Sequence, residues 1–257
     1  MDDNKVLPLV SIIVPALNEE ERLPTVLGCA KSQTYDPKEI IVSVSPETTD
    51  RSVEVARQYG AKVVEGGIYA VARNNGAKIA RGEYFFFFDA DIAFGPEAVE
   101  SAMKKILRRR LDFGMFNWGF RVENDQGKRA PLLKQLVYLL LNQYMALSNR
   151  VTTIFRPVTI GHSTFISRVL FEKLGGYDES MMTSEDVDLG KRAARAGGRY
   201  GVIHYKTWHS NRRVEEVGVL KYILIILLTF PLHALKREDL IDRLYKRRVD
   251  DGKYISE

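Results

Sequence analysis

The chain has one cysteine, Cys29. A single thiol excludes an intrachain disulfide and any zinc site built from a cysteine cluster, and it fits a reducing compartment. Neither a G-x-G-x-x-G fingerprint nor a G-x-x-x-x-G-K-[ST] phosphate loop is present, so dinucleotide-binding and P-loop readings fail. Internal repeats and low-complexity tracts are also missing. The opening residues, Met1-Asp2-Asp3-Asn4-Lys5, are polar and acidic, unlike the basic and then apolar start of a signal peptide. A formal net charge of +5 is too small and dispersed to argue for nucleic acid, which is not expected as a partner. Such a balance suits an anionic small molecule or an acidic membrane surface. Long uninterrupted apolar runs are scarce. The longest, Val217 to Leu235, is broken by Lys221 and Pro231 and falls short of the about 20 residues a spanning helix needs.

What is present is a folded, cored chain: 45% of its 257 residues are hydrophobic, enough for one large α/β domain or two packed lobes. Its most telling stretch is Phe85-Phe86-Phe87-Phe88-Asp89-Ala90-Asp91-Ile92. Strand side chains alternate faces, so four consecutive aromatics require cover on both faces, as in a central strand sandwiched by helices. Two carboxylates then stand one residue apart at the strand's C-terminal end. They read either as a divalent-cation site or as a solvated turn.

The rest of the first half alternates strand and helix. Leu9 to Pro15 reads as a buried strand, after which Asn18 and Glu19-Glu20-Glu21 are expected to open a helix, acids in its first turn. Glu39 to Val44 is a second strand. Asp50 is placed as the N-cap of a helix running through Tyr59 and ended by Gly60. Lys62 to Glu65 is a third strand, and a helix carrying Val71, Asn74, Asn75 and Ala77 precedes the phenylalanines. This order predicts a mostly parallel, doubly wound sheet with helices on both faces. Ligands of such sheets bind beyond the carboxyl ends of the strands. Three polar segments fall there and should converge: Pro15 to Glu19, Ser45 to Asp50 and Asp89 to Asp91.

Downstream, Gly95-Pro96-Glu97 opens a helix that ends in Arg108-Arg109-Arg110, basic residues suited to a helix C-terminus. Asp112 to Val122 reads as an aromatic-rich strand. Leu132 to Leu147 reads as a strongly apolar helix, either core or partner-facing. A short strand or turn over Gly161 to Ile166 leads to a helix over Val169 to Leu174, capped by Gly175-Gly176. A helix from Asp186 to Ala196 carries Glu185 and Asp186 at its start.

Taken together these residues resemble the inverting family 2 glycosyltransferases of the GT-A fold. The matching segments run in order: Val10 to Glu19, Ala72-Arg73-Asn74-Asn75-Gly76-Ala77, Asp89-Ala90-Asp91, Gly175-Gly176-Tyr177-Asp178-Glu179, and Glu185-Asp186-Val187-Asp188-Leu189 with Arg192. The resemblance covers about residues 9 to 213. It implies a nucleotide-diphosphate-sugar donor, a divalent cation (Mn²⁺ or Mg²⁺), and a glycan or lipid-linked acceptor. Carried onto this chain, it implies donor contacts from Pro15, Ala16, Asn18, Glu19, Arg73, Asp89, Ala90, Asp91 and Arg212. It implies metal ligation by Asp91, with Asp89 on the ribose or the metal's waters and His209 as a further ligand. Asp186 becomes the general base, beside Glu185. Arg73 either meets phosphate or braces the site, and Arg212 and Arg213 either meet the diphosphate or are solvated loop charges. The other histidines, His162, His204 and His233, receive no role. Trp118 reads as core or as an acceptor platform.

One segment departs from the pattern. The aspartate-rich loop that usually follows the second strand is here Ser45-Pro46-Glu47-Thr48-Thr49-Asp50, with Glu47 the candidate to read the nucleobase. The expected organisation is a catalytic domain over residues 1–215, with a nucleotide-sugar half (1–110) and an acceptor half (111–215). An apolar and basic helical tail, 216–257, follows and suits the cytoplasmic face of a membrane. A non-catalytic membrane-surface protein on the same fold is the alternative.

Overall fold

The computed structural model describes residues 6–121, 129, 131–155, 159, 162–181, 184–210 and positions 218, 221, 223, 224, 227 and 228. Arg212, Arg213, His233, Gly161 and nearly all of the tail lie outside them. The chain divides into two compact units, Met1–Phe120 with Asn142–Ser210, and Arg121–Leu141 with Asn211–Glu257.

The first unit is a mixed α/β sandwich. Its strands are β1 (Val10–Ala16), β2 (Lys38–Val44), β3 (Lys62–Glu65), β4 (Tyr84–Phe88), β5 (Ile92–Phe94), β6 (Phe113–Phe120), β7 (Ser163–Ser167) and β8 (Tyr200–His209). They form one sheet in the order β3-β2-β1-β4-β7-β6-β8-β5. The β1–β2, β1–β4, β2–β3 and β6–β8 pairings are parallel, and those of β4–β7, β6–β7 and β5–β8 are antiparallel. The sheet is therefore mostly parallel, with β7 inserted against the grain in its middle.

The four phenylalanines behave as their alternation demands. Phe86 and Phe88 enter the core layer that contains α1 (Leu23–Lys31) and α4 (Ala98–Arg109), where they meet Phe116, Phe165 and Phe94. Phe85 and Phe87 enter the opposite layer, against Phe171 and Tyr177, with α3 (Tyr69–Ile79), α6 (Arg168–Lys173) and α7 (Glu185–Arg195) above them. All four rings are 1% exposed or less, so β4 is a fully covered central strand.

Two expectations about helix starts need correcting. Helix α1 begins at Leu23 with proline at its first turn and no acid there. Glu19 and Glu20 instead serve the loop before α2 (Ser52–Gln58). The Glu19 amide donates to Ser52 Oγ at 2.9 Å, and Glu20 Oε2 accepts from the Arg51 amide at 3.0 Å. The N-cap of α2 is Arg51, one residue past the expected Asp50. Asp50 still serves the helix end: Oδ1 accepts from the Ser52 amide and Oδ2 from the Glu20 amide, both at 2.9 Å. Burial opposes ionisation of its carboxyl, but the Ser52 hydroxyl, together with these amides, holds it below the usual range. The remaining helix, α5 (Leu132–Phe155), extends well past the expected Leu147. Strands β5 and β8 were not anticipated.

Candidate active site

The carboxyl ends of β1, β2 and β4 lie side by side because the three strands are parallel neighbours in register, Ile13 beside both Ile41 and Phe87. Two of the three expected loops are directly joined. The Ser45 amide donates to Ala16 O at 2.9 Å, and Asn18, at φ 52°, accepts the Thr49 amide on its Oδ1 at 2.8 Å. Pro15 and Ala16 are buried at the end of β1. Glu47 is exposed at the tip of the second loop, its amide donating to Ser45 Oγ.

Arg73 is the centre of the arrangement. It is 2% exposed and projects from α3 between two aromatic faces, Tyr69 and Tyr177, each centroid 5.5 Å from its guanidinium carbon. One terminal nitrogen donates to Asp89 Oδ1 at 2.8 Å and the other to Glu185 Oε1. Burial alone would lower the guanidinium's affinity for its proton. The adjacent Asp89 and Glu185 carboxylates overcome that and hold it well above the ordinary value. A fork-shaped, permanently charged group suits this bridging, which a point charge could not reproduce. Arg73 thus joins the end of β4 to the first turn of α7.

Asp89 is engaged at both oxygens. Its Oδ2 lies 2.9 Å from His162 Nδ1, and its amide donates to His162 O at 3.2 Å. Burial opposes ionisation of Asp89, but Arg73 and His162 together hold its carboxyl far below the usual carboxylate range. His162 is the residue that sequence reasoning passed over. It reaches Asp89 because β7 pairs antiparallel with β4, Phe88 opposite Ser163, so the next residue on each strand also meets. The direct protein contacts of Asp89 are thus a guanidinium and an imidazole.

Asp91 and His209 are brought together by β5 and β8. His209 lies opposite Ile92 in the ladder, and the Ser210 amide donates to Asp91 O at 3.1 Å. The His209 ring packs edge-to-face on His162 at 4.2 Å and against Trp118 at 4.7 Å. Trp118 is 7% exposed and lies within this ring cluster. Ala90 is buried between the two aspartates.

Glu185 and Asp186 form the first turn of α7, where acids favour the positive end of the helix dipole. Both are buried, 7% and 8% exposed, despite their charge. Thr159 Oγ1 donates to the Asp186 carbonyl at 2.5 Å. Above them, Asn74 fixes the Gly176–Glu179 turn, where Gly175 and Gly176 adopt φ of 74° and 79°.

The donor set can be tested against a divalent cation. Among the described residues no three His, Cys, Asp or Glu side chains converge as a complete metal cage. One carboxylate and one imidazole, Asp91 and His209, do stand at adjacent strand ends. That pair fits a cation that takes its remaining ligands from phosphate oxygens and water.

The comparisons agree with the fold. The description Glycosyl transferase family 2 matches residues 11–175, and the chain belongs to that family. A glycosyltransferase of Rickettsia felis described as uncharacterized is 24% identical over 260 residues, 98% of this chain and 42% of that protein. Glycosyltransferase AglE of Haloferax volcanii is 28% identical over 203 residues, 74% of this chain and 63% of its own. The chain thus spans about half the length of the curated relatives it matches. Among solved structures, mannosyltransferase PcManGT from Pyrobaculum calidifontis, in complex with GDP-Man and Mn²⁺, superposes with a TM-score of 0.61 at 20% identity. That match covers 80% of this chain and 57% of PcManGT. TarS 1-349 of S. aureus, in complex with UDP-GlcNAc, gives 0.59 at 20% identity, covering 78% of this chain and 58% of TarS. Both likenesses establish the GT-A fold.

Proposed function

We propose that the chain carries an inverting, metal-dependent glycosyltransferase centre. It would move a sugar from a nucleotide-diphosphate donor to a hydroxyl or lipid-linked acceptor. One observation carries the reading: Arg73 joins Asp89, at the end of the donor-side strand, to Glu185 at the start of α7. That bridge supports reading the Asp89–Asp91 segment and the buried Glu185-Asp186 pair as one site. Structures with the same fold hold GDP-Man with Mn²⁺ or UDP-GlcNAc, which supports a nucleotide-sugar donor here.

Asp91 and His209 would hold the cation. It would supply Lewis-acid neutralisation of the charge that develops on the departing diphosphate. The chain's own residues do the rest. Asn18, Glu19 and the Glu47 loop border the end of β1, where the nucleotide would lie. Asp186 would take the proton from an acceptor hydroxyl as it attacks the anomeric carbon from the face opposite the leaving group, giving inversion. Glu185, held by Arg73, keeps that turn of α7 fixed. An acceptor phosphate is already ionised and would need no such base.

A membrane-surface acceptor gains support from α5. Leu132, Leu133, Leu136, Leu139, Leu140 and Leu147 are all more than half exposed and recur at helical spacing along one face. Among the described residues no helix is long and apolar enough to cross a membrane.

Calorimetry with UDP- and GDP-sugars, with and without Mn²⁺, followed by donor turnover, tests the proposal. One donor class should bind only with the cation present. Asp91→Ala should abolish that binding, and Asp186→Asn should lower transfer to a hydroxyl acceptor by about a thousandfold while leaving donor binding intact. Donor turnover unchanged in Asp91→Ala would sink the proposal.

A further inference from the structure

We propose that the cavity between α4 and the bulged middle of β8 binds an organic phosphate. Arg108 and Lys104 hold the phosphate, and Tyr205 meets the apolar part of the molecule. The phosphate belongs to a soluble ester or to a lipid headgroup, and the two sources are separated below. The inference goes beyond the transferase reading and does not depend on it.

The cavity has a volume of about 410 Å³, within the range of small-molecule sites. One wall is a single stripe of α4. Ser101, Lys104, Lys105 and Arg108 recur at helical spacing, beside the stripe of Ala98, Ala102 and Ile106 that enters the core. The other wall is Ile203, His204 and Tyr205 of β8. The sheet itself opens this space. β5 pairs with β8 only from Thr207 to His209, so upstream of Thr207 that edge is faced by α4. There Ile203 pairs with Phe116 and Lys206 with Asn117, which leaves His204 and Tyr205 as two extra residues on β8. A bulge of this kind re-aims side chains. The half-buried Tyr205 ring supplies apolar surface, and Gly95 makes room for it, since a Cβ there would strike the Tyr205 hydroxyl oxygen.

Charge decides what the cavity takes. The guanidinium groups of Arg108, Arg109 and Arg110 form no ion pair among the described residues. Lys104 meets Glu100 in an exposed pair, which is worth little and is readily exchanged for a stronger partner. Lys105 Nζ donates to Val202 O at 2.7 Å, which closes the free edge of β8 with one of its three donors. Burial and the charges of Arg109 and Arg108 hold that ammonium below its ordinary value, and an anion between Lys104 and Arg108 would relieve the crowding. The helix dipole favours bases in the last turn of α4, but it places no demand that they face a cavity. A guanidinium fork matches phosphate oxygens. At about 3.3 Å per strand residue, Tyr205 and Ile203 stand about 13–20 Å short of His209, so the cavity is separate from the candidate donor site.

Two arms on the full chain, both without divalent cation, test this. Calorimetry with phenyl phosphate and with inorganic phosphate reads the soluble source. Flotation with phosphatidylcholine vesicles, with and without phosphatidic acid, reads the lipid source. Arg108→Glu reverses the charge at an exposed position and leaves the core stripe of α4 intact. It should weaken binding in one arm by at least about tenfold, the loss expected of a charge-assisted bond. A loss of phenyl phosphate affinity marks a soluble ester as the ligand. A loss of recruitment to phosphatidic acid, with phosphatidylcholine unchanged, marks a lipid headgroup. If the ligand is soluble, Tyr205→Ala should bring phenyl phosphate down to the affinity of inorganic phosphate. Arg57→Glu, which makes the same change in net charge on exposed α2, should match wild type in both arms. The inference is overturned if Arg57→Glu loses as much as Arg108→Glu, or if Asp91→Ala abolishes phenyl phosphate binding. It is also overturned if Arg108→Glu, folded by its urea midpoint, binds both probes as wild type does. A wild-type chain that binds neither probe overturns it as well.

Discussion

Asn74 and Tyr177 exchange a pair of hydrogen bonds in the manner of two paired strand residues. The side-chain oxygen of Asn74 accepts the Tyr177 amide and its amide nitrogen donates to the Tyr177 carbonyl, each at 2.9 Å. One side chain on α3 thus satisfies the backbone of a turn more than a hundred residues away, in a place closed to water. Gly176 allows the approach, since a Cβ there would come within 2.6 Å of Asn74 Oδ1. Tyr177 then covers Phe87 and one face of Arg73.

Asn74→Asp keeps the shape and removes the donor. It sets a carboxylate against the Tyr177 carbonyl and Glu179, which Asn74 Nδ2 now meets at 2.9 Å. A buried backbone acceptor left unsatisfied costs about 1–3 kcal/mol, and the new like charge adds to that. Urea denaturation should show a loss of at least about 2 kcal/mol. Asn74→Asp within a few tenths of wild type would show that the turn is held by other contacts.

Arg73→Lys should be far from conservative. Lysine can satisfy Asp89 or Glu185, and the carboxylate left over is buried without a partner. Breaking a buried ion pair costs about 3–5 kcal/mol, so the variant should unfold at markedly lower denaturant. Turnover should fall about a hundredfold, because the two ends of the site are no longer tied. Wild-type turnover in a folded Arg73→Lys protein would remove the bridge from the mechanism.

Much of this was legible in the chain, and the reasons are physical. The four phenylalanines forced a strand covered on both faces, and both faces are covered. Strand–helix alternation up to Phe88 predicted parallel pairing, and β3, β2, β1 and β4 do pair in parallel, because each connection is short and local. Beyond Phe88 the sheet is built from pairings between distant segments. Strand β8 alternates poorly, with exposed His204 and Lys206 among buried neighbours, and it carried no clear period. The role of His162 depends on the antiparallel β4–β7 register, which no local pattern encodes. The acids at 19–21 were placed in a helix by the dipole rule, yet α1 starts only at Leu23; Glu20 has by then turned toward Asp50 and Arg51, and the Glu19 carboxylate pairs with Arg22.

Acid should weaken the fold through Asp89. Its native carboxyl is held well below its ordinary value of 3.8, with Arg73 and His162 outweighing the effect of burial. A depressed native value contributes stability that is complete above the unfolded value and is lost as pH falls through the native one. Wild-type unfolding free energy should therefore drop more steeply between about pH 4 and pH 2 than that of Asp89→Asn. The variant itself should be less stable at pH 7, since Arg73 loses one charged partner. Parallel pH–stability curves for the two proteins would show that Asp89 is not so held.

Two glycine-to-alanine changes should act in opposite directions. Gly76 lies in α3 where the helix rests on β1 and β2, and an added Cβ would come within 2.5 Å of Ile13 Cγ2 and 2.8 Å of Ser43 Oγ. Ile13 and Ser43 are fully buried and have no room to yield, so the helix must lift. Overpacking of this kind costs about 1–3 kcal/mol. Because Arg73 and Asn74 ride on the same helix, Gly76→Ala should also reduce turnover. Gly28 sits within α1 with nothing nearer to a new Cβ than Tyr59 Cε1 at 3.9 Å. Gly28→Ala should stabilise by up to about 1 kcal/mol, since alanine restricts the unfolded chain and favours helix. Thermal melts of the two variants side by side decide the matter. A Gly76→Ala protein as stable as wild type would mean that α3 is free to move away from β1, and the tight seating of Arg73 could not then depend on that contact.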